Sequence, residues 1–325
     1  MKSCTLFAGL AFAIIAPLVP TPSVGAAEPI VIAVKFPPGQ IDRQTTVMEN
    51  EQIVSGTSKP APEKQSWKST TTTRLRGTSS DASGNSVELT YESIQIAIPN
   101  LGKTVSAEKE RTLSAITGAK LMLHFTRAGK VDRVDGVDAI LAKLPADSAL
   151  ELKPVLDGER IMALFNEEIE TVLPTKPVKI GETWVTEVSR KTSGVNVRVT
   201  THVTLAAVNE VGGHKIAKLK FTGKSEVEAG VGPSVPKVTF ERYDQSGTSE
   251  FDITRGWFAS HTVELHIKAR AKINPETNPE SIEVEQTYKY ASKQTPVNPE
   301  AAIKPSTKPE TAPVNVQSEK VESAK

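Results

Sequence analysis

Apolar and polar residues alternate with a period of two along most of the second half of this chain. In "GVNVRVTTHVTLAAV", Val195, Val197, Val199, Val203 and Leu205 share one side, while Asn196, Arg198, Thr200 and His202 take the other. "AKLKFTGKSEVE", "ASHTVELHIKARA" and "IEVEQTYKY" repeat the pattern. Alternation of this kind predicts antiparallel strands with one dry face and one wet face. Turn signals separate the runs at Asn209–Gly213, Gly230–Pro236, Arg255–Gly256 and Asn274–Glu280, so the strands form a meander. The alternation loses phase around Gly247, which predicts a bulge or bend there. The first half is also strand-rich. "EPIVIAVKF", "QIDRQTTVMENEQIVSG", "KQSWKSTTTTRLRG" and "SVELTYESIQIAI" are candidate strands, the last with a phase change near Ser93.

Helical spacing is confined to the middle. Ser106 is placed to cap a helix that stops at Gly118, and Asp138 to cap a short helix ending at Pro145. The clearest helix is "DGERIMALFNEEIETVLP". Asp157 stands at its start and Pro174 just past its end, with Ile161, Leu164, Phe165, Ile169 and Val172 along one side. The next stretch, "LPTKPVKIGETW", reads as a joint from helix to sheet. Pro174 ends the helix, Val178 and Ile180 flank Lys179 as in a short strand, Gly181 permits a turn, and Trp184 anchors the strand that follows.

The order strands, helices, strands predicts an α+β fold: a long curved antiparallel sheet, open or partly closed as a barrel, with a few central helices packed on its dry face. Residues 1–26 read as a signal peptide. Lys2 precedes an apolar run from Leu6 to Val19, and Val24-Gly25-Ala26 supplies small residues for cleavage. Residues 27–292 form one β-rich domain with a helical insert at about 106–173, and the Pro-, Lys- and Glu-rich residues 293–325 read as a disordered tail. Removal of the signal leaves no run long enough to span a bilayer, so the expected location is periplasmic or extracellular.

Composition narrows the chemistry. Lys+Arg is 39 and Asp+Glu is 38, a net charge of +1 with 5% aromatic residues, which argues against a nucleic-acid partner. The single cysteine, Cys4, lies inside the signal, so thiol catalysis, disulfides and cysteine-ligated zinc are excluded from the mature chain. There is no Gly-x-Ser-x-Gly, no His-Glu-x-x-His and no complete phosphate loop. His261 and His266 fall on opposite faces of one strand. Asp132, Asp135 and Asp138 lack the spacing of a calcium loop. No cofactor or metal is expected, and no catalytic residue is assigned.

One residue breaks its local pattern. Glu168 falls within the apolar stripe of its helix, between Leu164 and Val172, near the end where negative charge is disfavoured. It either pairs with an arginine at the sheet edge, stays wet at a rim, or faces a ligand. Under the last reading Glu168, Phe165 and Leu164 are the ligand-binding residues.

The Pro-x-Lys-Pro-Val-Lys-x-Gly-x-x-Trp pattern at 174–184, "RAGKVDRVDGVDAI" at 127–140 and "SGTSEFDITRGWFASHTVEL" at 246–265 resemble an uncharacterised family of exported bacterial β-rich proteins. That resemblance implies no activity and carries over no functional residues. The layout is more distantly similar to the half-barrels of lipoprotein-carrier proteins. The expectation is an exported non-enzymatic protein that binds a lipid or other apolar ligand in the cell envelope. The alternative is a structural or protein-interaction module with an envelope protein as partner.

Overall fold

The computed structural model describes residues 28–56, 61–97, 107–153, 156–192, 195–228, 237–272 and 281–297. The signal-like segment, the Ser106 cap and the chain beyond residue 297 lie outside them. Fifteen elements follow in order: β1 (Ile41–Gly56), β2 (Glu63–Ser80), β3 (Gly84–Ala97), α1 (Ala107–Ile116), β4 (Lys120–Thr126), β5 (Val131–Asp135), α2 (Val137–Leu141), α3 (Ala146–Leu152), α4 (Gly158–Val172), β6 (Thr183–Thr192), β7 (Val195–Val211), β8 (His214–Glu228), β9 (Lys237–Asp252), β10 (Trp257–Lys272) and β11 (Ser281–Pro296).

All eleven strands join one sheet in the order β5-β4-β3-β2-β1-β11-β10-β9-β8-β7-β6, antiparallel throughout. Two meanders, β1–β5 and β6–β11, therefore meet at the central β1–β11 seam. Their outer strands, β5 and β6, are the two edges of an unclosed sheet. The fold is α+β and dominated by this sheet. Laid flat, eleven strands would span roughly 48 Å at about 4.8 Å per gap. Yet α4 packs on both β5 and β6, so the sheet curls until both edges reach one helix.

Specific contacts fix that helix across the gap. The Asn166 amide bonds to both the N–H and the C=O of Val131 on β5, at 2.7 and 2.8 Å, and Lys130 pairs with Glu170 at 2.5 Å. At the other edge Thr186 Oγ1 donates to the Thr171 carbonyl at 2.9 Å. These bonds also occupy exposed strand edges that would otherwise template pairing with another chain.

One end of the curled sheet is filled. Phe36, Phe125, Phe251, Trp257 and Phe258 are buried there. Phe125 on β4 and Trp257 on β10 meet edge-to-face at 5.8 Å although four strands separate theirs in the sheet. Phe36 also packs on Trp257, at 6.1 Å. It belongs to residues 28–39, which the alternating pattern predicts to be a strand. They form instead an extended plug joined to the fold by an Ile30–Val178 bridge and a bond from Lys35 N–H to the Gly256 carbonyl. Ile32, Val34 and Phe36 are buried by the plug, whereas Val31 is 58% exposed.

Other boundaries move for local reasons. Gly136, left-handed at φ 97°, stands at the start of α2, so Asp138 lies in the first turn and makes no side-chain cap. The α3 helix was not anticipated, and Asp157 starts α4 without a capping bond from its side chain. Glu92 on β3 is the extra residue opposite β2 and accounts for the phase change near Ser93. Gly247 is no bulge: it pairs in register with Val263 and Phe221. A Cβ there would lie 2.3 Å from the Phe221 ring, so the glycine makes room for that ring. The bulges on β9 and β10 lie elsewhere, between Lys268 and Ala269 and between Phe258 and Ser260. Ladder pairing with β1 carries β11 to Pro296, past residue 293 where the composition changes.

Candidate functional site

The two faces of the sheet differ in chemistry. Charged residues of the strands gather on the outer face and neutralise one another. Glu49 pairs with Lys68 at 2.7 Å, Glu51 with Lys64 at 2.9 Å, and Lys289 with Glu264 at 3.4 Å. Arg270 and Lys268 share Glu241 and Glu283 at 3.0–3.5 Å. The inner face carries mainly apolar and uncharged polar side chains; Asp42, ion-paired to Arg255, is buried at the filled end, and Glu63 shares the face of Trp67 towards the other end, accepting a bond from Gln65 at 2.8 Å.

Beyond the aromatic cluster the inner face opens into a trough. Met48, Trp67, Val263, Leu265, Ile267 and Tyr288 are only half-buried along its wall. Trp67 and Tyr288 pack edge-to-face at 6.5 Å, and the Tyr288 hydroxyl donates to Met48 Sδ at 2.9 Å. Gln286 Nε2 donates to Asn50 Oδ1 at 2.6 Å. On the same face Ser69 Oγ, Ser225 Oγ and Trp184 Nε1 have no hydrogen-bond partner within the protein. Buried polar atoms without partners are uncommon.

The helix α4 lies inside the curl. Phe165 packs against the core, while Leu164 is 58% exposed. Glu168 sits opposite Tyr290 of the central strand β11, close enough for its charge to act on that hydroxyl. Part of Glu168 remains open to solvent, yet burial, and then the charge of Glu167, push its carboxyl up to about 7. Among the described residues no cation pairs with it, and a guanidinium in contact would have drawn its pKa down. Of the three residues singled out on this helix, Leu164 is exposed, Glu168 is half-buried and Phe165 packs against the core.

Sequence reasoning missed the polar cluster across from Glu168. His261 is buried, bonded through Nδ1 to Ser249 Oγ at 2.5 Å, and stacked on Phe221 with ring centres 5.6 Å apart. Burial drives its pKa down to about 4, so the ring is neutral. Its edge meets Tyr290 at 5.7 Å, and the Ser292 and Thr46 side chains lie near the Tyr290 hydroxyl. Burial, followed by the nearby Glu168 charge, raises the Tyr290 pKa. The one available signal was register: His261, Ser292, Ser249 and Tyr290 share a face only once β9, β10 and β11 are aligned.

A second constellation crosses the outer face. Ser86 Oγ lies 3.0 Å from His124 Nδ1, and His124 Nε2 lies 2.9 Å from Asp135. Arg133 reaches the same Nε2 at 2.9 Å and Asp135 at 3.2 Å. These are lateral neighbours in the β3–β4–β5 ladder, whose backbone N–H groups are committed to strand pairing. Asp135 is thereby engaged, and among the described residues no group of three His, Cys, Asp or Glu could hold a metal ion. No described helix is long and apolar enough to cross a membrane.

Two shallow depressions lie elsewhere. One of about 400 Å³ surrounds Gly247 and is lined by paired surface charges such as Glu264 and Lys289. The other, of about 410 Å³, lies among α2, α3 and the start of α4, beside the exposed Leu150. Neither coincides with the trough.

The joint at 173–184 is structural. Val178 is fully buried and bridges to Ile30, Ile180 is 49% exposed, and the Glu182 carboxylate accepts the Lys179 N–H at 2.9 Å.

Residues 82–258, more than half of the chain, match the profile of DUF6263, a family of unknown function. No curated protein matches the sequence. Among solved structures, the chain is similar to one from a study of lipid–protein interactions in lipovitellin, at 11% identity and a TM-score of 0.40. The overlap covers 78% of this chain but 25% of that one, so the chain spans about a quarter of its length. DynF from the dynemicin biosynthesis pathway of Micromonospora chersina overlaps 86% of this chain and 92% of its own at 8% identity and a TM-score of 0.18. A DUF1329 family protein from Desulfovibrio piger overlaps 76% and 84% at 10% identity and a TM-score of 0.17.

Proposed function

We infer that this chain, which belongs to the DUF6263 family of unknown function, is an exported, non-enzymatic protein that binds a lipid or other apolar ligand in its trough within the cell envelope. The observation that carries the reading is the half-buried apolar wall of Met48, Trp67, Leu265, Ile267 and Tyr288, set among uncharged polar groups. A wall of this kind gains from contact with hydrocarbon, at about 0.8 kcal/mol for each methylene taken out of water. A mostly apolar lining with a handful of polar groups is what small-ligand sites generally offer. The charge-neutralised outer face supplies solubility. Export rests on the signal-like first 26 residues and on the resemblance of the 174–184 motif to exported bacterial proteins.

The test is mass spectrometry of organic extracts from protein purified out of its own envelope. A stoichiometric lipid or apolar metabolite supports the reading. An empty protein that also fails to bind the neutral dye N-phenyl-1-naphthylamine refutes it. Leu265→Arg and Ile267→Arg, which set charge on the wall, should each weaken dye binding while leaving the circular dichroism spectrum intact. Cell fractionation tests the location: recovery of the chain with its first residues intact in the cytoplasm would refute export.

A further inference from the structure

The walls of the trough are mainly uncharged, yet α4 sets a carboxylate against them. Glu168 is set there by a helix pinned to both sheet edges, so it cannot withdraw without breaking the Asn166 and Thr171 contacts. The charged group acting on it is Glu167 of its own helix, and the group facing it from β11 is Tyr290. From β5, β6 and β7, on which α4 packs, no described charge compensates it.

We propose that the ligand is an amphiphile with a cationic amine head, received by the Glu168 carboxylate. This rests on the trough reading above and adds the class of ligand to it. A phosphate or carboxylate head would meet a like charge with no described cation to offset it. A purely apolar ligand would strip water from Glu168 and return nothing. An ammonium head supplies the missing charge and forms a charge-assisted hydrogen bond. The carboxyl pKa of about 7 leaves Glu168 mainly ionised at pH 8 and mainly protonated at pH 5.

The experiment displaces N-phenyl-1-naphthylamine from the full chain with dodecylamine, dodecanol and dodecanoate, which share a tail and differ in the head. At pH 8 the amine should bind about ten-fold tighter than the alcohol, as about 1.4 kcal/mol of charge-assisted bonding gives, and the carboxylate should bind weakest. Glu168→Gln should abolish the preference for the amine while leaving dodecanol affinity in place. Glu264→Gln, on the outer face, should change neither. The preference should also shrink from pH 8 to pH 5, where the amine stays protonated and Glu168 does not stay ionised. Equal binding of amine and alcohol, tightest binding of the carboxylate, or an amine preference that survives Glu168→Gln overturns the proposal while the trough reading stands. If neither the dye nor any of the three binds, both fail.

Discussion

Replacing Glu168 with glutamine should stabilise the protein, and by an amount that depends on pH. The ordinary glutamate pKa is 4.5, and in the folded chain it rises to about 7 because burial disfavours the charged form. The folded state therefore holds a proton that the unfolded chain has released, and stability falls as pH rises from about 4.5 to 7. At about 1.4 kcal/mol per pH unit the full penalty above pH 7 would be about 3 kcal/mol. Solvent at the partly open side chain screens the charge, so about 1–3 kcal/mol is expected. Glutamine mimics the protonated acid and does not titrate. The variant should match the parent below pH 4.5 and exceed it by that amount at pH 8. His261 slopes the other way: its pKa drops from 6.5 to about 4, so its contribution is lost as pH falls between those values. The two slopes offset each other between pH 4.5 and 6.5, and Glu168→Gln should uncover the histidine's. Urea unfolding of the ligand-free chain, followed by fluorescence of its three tryptophans, measures this directly. A gap that stays constant with pH, or a variant less stable than its parent at pH 8, would refute the buried-carboxylate reasoning.

Three further perturbations probe the frame around the trough. Gly247→Ala puts a Cβ 2.1 Å from the Thr262 carbonyl oxygen and 2.3 Å from the Phe221 ring, and should cost about 2–3 kcal/mol in urea unfolding, as overpacking does. Asn166→Ala removes both bonds to Val131 and should destabilise by about 1–3 kcal/mol; light scattering should also report self-association through the freed edge of β5. Arg255→Met leaves the buried Asp42 carboxylate unpaired and should lower stability by about 3–5 kcal/mol at neutral pH by the same assay, whereas a loss below 1 kcal/mol would show the pair to be dispensable.

The strands were legible because each obeys period two with one face drier than the other, and the helix around Ile161 because its stripe is clean. What failed was any feature set by partners distant in sequence. Residues 28–39 alternate as a strand would, but inside a curled sheet the same alternation serves a plug that buries Ile32, Val34 and Phe36 against several strands at once. Gly247 looked like a bulge because its chain neighbours lose phase, whereas its cause is the Phe221 ring on the next strand. Glu168 stood out locally because a charge within an apolar stripe needs no partner to look wrong. The Tyr290–His261–Ser249 cluster facing it did not, since each member is an ordinary strand residue until register aligns them.

The central seam has a consequence for how the chain is made. Met48 and Tyr288 touch across it although 240 residues separate them in sequence. Each meander consists of neighbouring hairpins that can pair as they emerge from the ribosome, but the free side of β1 stays unmatched until β11 exists. At about 5–20 residues per second, that interval is roughly 10–50 s of synthesis. During it the nascent chain presents a long strand margin, which makes the time before the last strand arrives the period of greatest exposure to misassembly and the one in which a chaperone would have most to protect.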